Sequence, residues 1–320
     1  MWWIVFNLFV LLLMALDLGV FHRKAHEVRI REAVFWSILW VFVALLFNLG
    51  VYLFWPPMRD GLNPSQAGLA FLTGYIIERA LSIDNIFVFV VLFRYFRVDP
   101  KYQHRLLMWG ILGALIMRAV FIVLGIELIQ RFHWTIYVLG AFLIVTGIKM
   151  VLMKDKEIHP ERNPVLRISR RLFPITPDYV EGRFFARING RLLATPLFIV
   201  LLVVETTDVV FALDSIPAIL GITTNTFIVY TSNVFAILGL RALYFVMAGM
   251  MHLFHYLTHG LATILIFVGA KMVLEAGFHY EISIALSLSV VALILAISII
   301  VSLALPKKEV ELPSESTDLV

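Results

Sequence analysis

Five acidic side chains stand inside long apolar runs: Glu78 and Asp84 in one, and Glu205, Asp208 and Asp214 in another. An ionised carboxylate at hydrocarbon depth is costly, by ~2.5–3.5 kcal/mol on insertion scales. Five of them demand a cation, a proton or an internal base. Glu205 and Asp208, three residues apart, share a helical face. Glu78 and Asp84 are six apart, as are Asp208 and Asp214, so on a regular helix each of these pairs diverges. Pro217 follows Asp214 closely, and a proline inside a helix removes a hydrogen bond and kinks the chain. Broken or distorted helices are therefore expected near Asp84-Asn85 and Asp214-Ser215. Freed carbonyls there would be additional oxygen donors of the kind transporters use for ions.

The remaining donors near these acids are Asn85, Ser215, Thr206 and Thr207, all hard oxygen ligands. The chain has no cysteine, and its nine histidines fall near span ends or in loops. Such an inventory suits Mg²⁺, Ca²⁺ or Mn²⁺ better than zinc or copper. The residue types point to Glu78, Asp84, Asn85, Glu205, Asp208, Asp214 and Ser215 as metal ligands. Arg118, Arg241, Lys149 and Lys271 are the candidate compensating bases. A purely structural network, with the acids simply paired to these bases, is the competing reading. The two also combine, with a base holding the empty site neutral until an ion displaces it. Lys149 and Lys271 sit nearer span ends, where snorkelling explains them equally well.

The elements that must position these groups are membrane spans. Hydrophobic residues make up 61% of the 320 residues and charged ones only 15%, against about half and about a quarter in soluble domains. Apolar runs long enough to cross hydrocarbon recur along the chain. The fold class is all-α polytopic, with about nine spans at 2–20, 34–55, 66–94, 105–126, 134–152, 196–220, 226–250, 258–276 and 281–305. Segments 21–33, 94–105 and 153–195 are rich in Lys and Arg, while the alternate connections are poor. The positive-inside rule then puts the N-terminus outside and the C-terminus in the cytoplasm. The first span lacks a basic leader region and a small-x-small cleavage site, which favours retention over cleavage. Basic residues clustered in a few connections argue against a nucleic-acid surface.

An internal repeat follows. GIKMVL at 147–152 returns as GAKMVL at 269–274, GALIMRAVF at 113–121 resembles AILGLRALYF at 236–245, and ERALSIDN at 78–85 resembles DVVFALDS at 208–215. These match Lys149 to Lys271, Arg118 to Arg241, Glu78 to Asp208 and Asp84 to Asp214, in one order and at similar separations. Three spans per copy make the second copy inverted, as in many secondary transporters. The organisation is then two N-terminal spans (1–65), a first three-helix repeat (66–152), a cytoplasmic loop (153–195), a second repeat (196–276), a last span (277–305) and a disordered tail (306–320). Within the loop, RFFARI-NG-RLLATP reads as a hairpin, because Asn189-Gly190 suits a type I′ turn.

FLTGYIIERALSIDNIFVF, VVETTDVVFALDSIPAI and SNVFAILGLRALYF resemble the signature segments of the TerC family, and most of all its Alx-type members, from about the first span to the last. The resemblance implies the wider superfamily of the LysE exporters, a bacterial cytoplasmic membrane, and export of excess Mn²⁺, with an older link to tellurium resistance. It places the family's acidic motifs on Glu78, Asp84, Asn85, Glu205, Asp208, Asp214 and Ser215.

The expected function is secondary transport of a divalent ion by alternating access, with protons as counter-ion, since no GxxxxGK[ST] motif supports nucleotide hydrolysis. The alternative is a membrane scaffold or metal-handling partner docking through 153–195, supplying metal to secreted proteins without transporting it. Nothing supports an intramembrane enzyme. The expected partners are lipid, a divalent ion as cargo and protons. No resident cofactor is expected, and the residues name no protein partner.

Overall fold

The helices begin where local chemistry starts them. Asn63 caps α3 by accepting from the Gln66 amide at 2.8 Å while the Gln66 side chain accepts from the Asn63 amide at 3.1 Å. This is a reciprocal capping box followed by proline at the first helical position. Asp99-Pro100 and Thr195-Pro196 repeat the cap-then-proline pattern before α4 and α6. Asn225 caps α7, accepting from the Ile228 amide at 3.0 Å. The computed structural model describes residues 2–19, 30–56, 62–152, 174–180, 182–188, 190–250, 256–278 and 282–304. Among them the order is α1 (Trp2–Gly19), α2 (Ile30–Phe54), α3 (Pro64–Tyr95), α4 (Pro100–Arg131), α5 (Thr135–Leu152), β1 (Phe185–Ile188), β2 (Arg191–Ala194), α6 (Pro196–Leu220), α7 (Thr226–Leu238), α8 (Leu240–Met250), α9 (Leu257–Phe278) and α10 (Ile284–Ala304).

The side chains are distributed inside out. Phe54, Leu152 and Phe278 are at least three-quarters exposed, while Glu78, Asn85, Arg118, Asp208, Asn233 and Lys271 are buried. Only a solvent that is itself apolar makes this arrangement stable. Among the described residues six helices (α2, α4, α5, α6, α9 and α10) are long and apolar enough to cross a bilayer, and the bent pair α7–α8, taken as one span, makes a seventh. The chain is an all-α, multi-pass membrane protein. Of the nine spans expected, the two that fall outside this set are α1, which is short, and α3, which is 32 residues long but interrupted by Glu78, Arg79 and Asp84.

α3 is the central helix. It packs on α2, α6, α7, α8 and α10, while α4 packs on α6 and α7, and α5 on α9. The α5–α9 seam is drawn together by glycines. A Cβ at Gly147 would lie 2.6 Å from the Ala262 carbonyl oxygen, and one at Gly269 2.5 Å from that of Gly140. Overpacking a tight interior typically costs about 1–3 kcal/mol. Gly147→Val should therefore lower the thermal unfolding midpoint in detergent clearly, whereas Gly50→Ala, with nothing near its added methyl, should not. Equal midpoints would show that the seam is slack.

The expected breaks at the acidic motifs do not occur. α3 is continuous through Asp84-Asn85 and α6 through Asp214-Ser215. Pro217 stands in the last turn of α6, so its missing N–H deletes little of the ladder. Its own carbonyl still accepts from Gly221 at 2.9 Å. The break lies instead between α7 and α8, a 47° bend around Gly239.

The expected hairpin is present, with Ile188 paired to Arg191 and Phe185 to Ala194 and Gly190 at φ +77°. Asn189, the first turn residue, lies outside the described residues. The stretch leading into the hairpin docks on α4 and on the end of α3. Arg105 Nη1 donates to the Gly182 carbonyl at 2.9 Å and the Tyr179 hydroxyl to that of Phe96 at 2.6 Å. Arg94, Arg97, Lys101, Arg105, Arg183, Arg187 and Arg191 thus belong to one end of the bundle. The basic stretches 21–29 and 153–173, and the 306–320 tail, lie outside the described residues.

A buried charged network as candidate ion site

Arg118, from the middle of α4, is the hub of the interior. Its guanidinium donates through Nη1 to Glu78 Oε1 of α3, to Asn233 Oδ1 of α7 at 2.9 Å and to Ser215 Oγ of α6 at 3.4 Å. Nη2 donates to Asp208 Oδ1 of α6 at 3.3 Å. Ser82, one turn along α3, donates to Glu78 Oε1 at 3.3 Å. The Arg118 side chain is 3% exposed, and Glu78 and Asp208 are 0% and 6%. One guanidinium therefore ties four helices together. A planar fork with several donors suits this role in a way a lysine would not.

The network is not saturated. Glu78 Oε2, Asp208 Oδ2, Asn233 Nδ2 and Arg118 Nε are buried without a partner. Two carboxylates share one guanidinium, which leaves a surplus negative charge when both are ionised. Unsatisfied buried polar atoms are rare in folded proteins and point to a missing ion or water. Glu205, one turn from Asp208, is a third carboxyl beside the network. It lies within electrostatic reach of Asp208 with its carboxylate pressed against Gly113 of α4, where any Cβ would overlap it.

The other predicted ligands form a neighbouring group. Asp84 and Asp214 lie six residues beyond Glu78 and Asp208, and on continuous helices that offset turns each of them about 240° away. Asp84 accepts from Thr258 Oγ1 of α9 at 3.3 Å. Asp214 lies beside Thr146 and Lys149 of α5 and within electrostatic reach of Asp84. Asn85 is buried and makes no hydrogen bond to the other predicted ligands among the described residues. The seven therefore divide into Glu78, Asp208 and Ser215 at Arg118, Asp84 and Asp214 at the α5 and α9 threonines, Glu205 between α4 and α6, and Asn85 apart. Among the described residues no three His, Asp or Glu side chains converge as a ready-made metal shell.

The bases divide too. Arg241, the repeat mate of Arg118, faces His104 Nε2 of α4 at 2.8 Å. Lys271 is buried and does not snorkel. Its Nζ donates to the Gly221 carbonyl at 2.9 Å and lies 3.5 Å from Glu275. Lys149 is exposed. Two residues escaped the sequence reading. Asn233 follows Thr231 and Ser232 in a short uncharged polar stretch, with no charge to draw notice. Arg79 stood beside Glu78, whose charge drew the reading.

Continuous helices, an apolar girdle and a buried charged centre define a polytopic membrane protein built around intramembrane ionisable groups. The chain belongs to the family described as the integral membrane protein TerC family, whose model matches residues 63–310. It is 52% identical to the "Uncharacterized membrane protein STKORF319" of Myxococcus xanthus over 94% of this chain and 91% of that protein. It is 45% and 44% identical to proteins named "Putative membrane-bound redox modulator Alx" from Salmonella typhi and Escherichia coli strain K12, over 94% of this chain and 93% of each. No solved structure matches the chain.

Proposed function

We propose that this protein exports a divalent metal ion, Mn²⁺ foremost, across the bacterial cytoplasmic membrane, with Arg118 holding the acidic site while no ion is present. The carrying observation is the shared guanidinium. Glu78 and Asp208, the residues that the repeat pairs, meet on one arginine, and each keeps one oxygen without a partner. An arriving hard dication would compete with the guanidinium for these oxygens, joined by Ser215 and the Asn233 carbonyl oxygen. Release would return them to Arg118.

Alternating access then amounts to exchange of partners at the contact between the two three-helix segments. The packing suits an inverted pair, since α3 on α7 and α6 on α4 are the contacts that an exchange of the two segments interconverts. Asp84, Asp214 and Glu205 are carboxylates outside the arginine network, and one of them would carry the returning proton. The relatives named as redox modulators bring thiol chemistry to mind, but this chain has no cysteine and so cannot exchange disulfides itself. The orientation adopted is N-terminus outside and C-terminus inside, with the basic end of the bundle in the cytoplasm.

Efflux of radioactive Mn²⁺ from loaded vesicles is the test. Wild-type protein should release the ion, and Asp84→Asn and Asp214→Asn should each slow release at least about ten-fold, the scale expected when a buried carboxylate on the ion or proton path is lost. Wild-type rates in both variants would remove these acids from the path. The scaffold reading draws on the hairpin tip, where Ile188 and Leu192 are exposed beside Arg187 and Arg191. It would replace the first if purified protein moved no ion and hairpin deletion abolished metal tolerance in cells.

A further inference from the structure

A second arginine is lodged in the α7–α8 bend. Arg79 of α3 donates through Nη1 to the Ala236 carbonyl at 3.0 Å, and a Cβ at Gly239 would lie 2.5 Å from that same nitrogen. The last carbonyls of a helix lack intrahelical donors and carry the negative end of its dipole. A guanidinium supplies both the donor and the charge. Among the described residues Arg79 has no carboxylate ion pair, so the broken end of α7 is its anchor.

Two features tie this clamp to the ion site. Arg79 is the residue after Glu78 on a continuous helix, so a shift that frees Glu78 from Arg118 carries Arg79 with it. The bend also separates two contacts with α4. Asn233, before it, accepts from Arg118 at 2.9 Å, and Arg241, after it, meets His104 at 2.8 Å. Changing the angle moves one relative to the other.

Resting on the transport reading, we propose that Arg79 is a positioning residue that sets the α7–α8 bend and couples it to occupancy of the site at Glu78. Glycine at 239 is what lets the guanidinium in. Coupling of this kind is reciprocal: ion capture loosens the clamp, and loosening the clamp withdraws Asn233 from Arg118.

The chain has no cysteine, so spin labels can be placed without background at Thr224→Cys, exposed just before α7, and Ala248→Cys, half-buried in α8. In lipid nanodiscs the ion-free protein should give one narrow inter-label distance. Arg79→Gln should shift or broaden it, and Arg79→Lys, which still delivers a charged donor, should restore it. In vesicles Arg79→Gln should lower the maximal Mn²⁺ efflux rate on the order of ten-fold, within the usual range of allosteric coupling. The half-saturating concentration should stay nearly constant, and Arg79→Lys should recover most of the rate. A distance unchanged in Arg79→Gln overturns the proposal. So does a parallel loss in rate and half-saturation with lysine no better than glutamine, which is the mark of a merely structural residue. Failure of the transport reading is separately visible: wild type would move no Mn²⁺ while the label distance still followed residue 79.

Discussion

Replacing Arg118 with glutamine is expected to destabilise the folded protein by about 3–5 kcal/mol, the usual effect of removing one member of a buried ionic group. Glu78 and Asp208 would be left together in a buried interior without their shared guanidinium, Glu78 keeping only its bond from Ser82, and the tie between α3, α4, α6 and α7 would go. Thermal unfolding of the detergent-solubilised protein measures the effect. The double variant Arg118→Gln with Glu78→Gln should lose less than the single, because it also removes the repulsion; contacting groups are not additive. Mn²⁺ should stabilise Arg118→Gln more than wild type, since a ligand raises stability according to its affinity for the native state and no guanidinium competes for the oxygens. A loss below about 1 kcal/mol, in the range of an exposed pair, would mean that the network does not hold the fold together.

The second large effect falls on transport and spares the fold. Glu78→Gln leaves Arg118 with Asp208 alone, a balanced pair, so the melting temperature should hold or rise. Asp208→Asn leaves the equivalent pair with Glu78. Each variant removes the surplus negative charge that attracts a dication, and each should cut Mn²⁺ efflux on the order of a hundred-fold, as expected when one member of a desolvated charge pair is lost. Stability kept while transport collapses is the signature of a group retained for function at some expense to the fold. Efflux at the wild-type rate in either variant would take that carboxylate out of the ion's path.

Much of this protein was legible in its residues because oil is an exacting solvent. Apolar runs of span length can be little other than helices in a bilayer, and the observed α1, α5 and α6 begin and end within a residue or so of the expected spans. The hairpin was readable from two turn residues, since a two-residue loop needs positive φ. The acids were conspicuous because charge in an apolar run is costly wherever the chain folds.

What the sequence could not carry was partner choice. Arg118 and Arg241 are matched in the repeat, yet one joins two carboxylates and the other a histidine. Their neighbours come from helices far away in the chain, and local spacing says nothing of them. The break was expected at a proline and occurs at a glycine. Pro217, one turn from a helix end, interrupts little, whereas at Gly239 a guanidinium from α3 makes good the carbonyl that a bend exposes. The amino-acid order by itself determined that charge must be buried and on which helices. Only the packing of α3, α4, α6 and α7 decided which charges meet, because a buried ion is stabilised by whatever lies within a few ångströms of it in space.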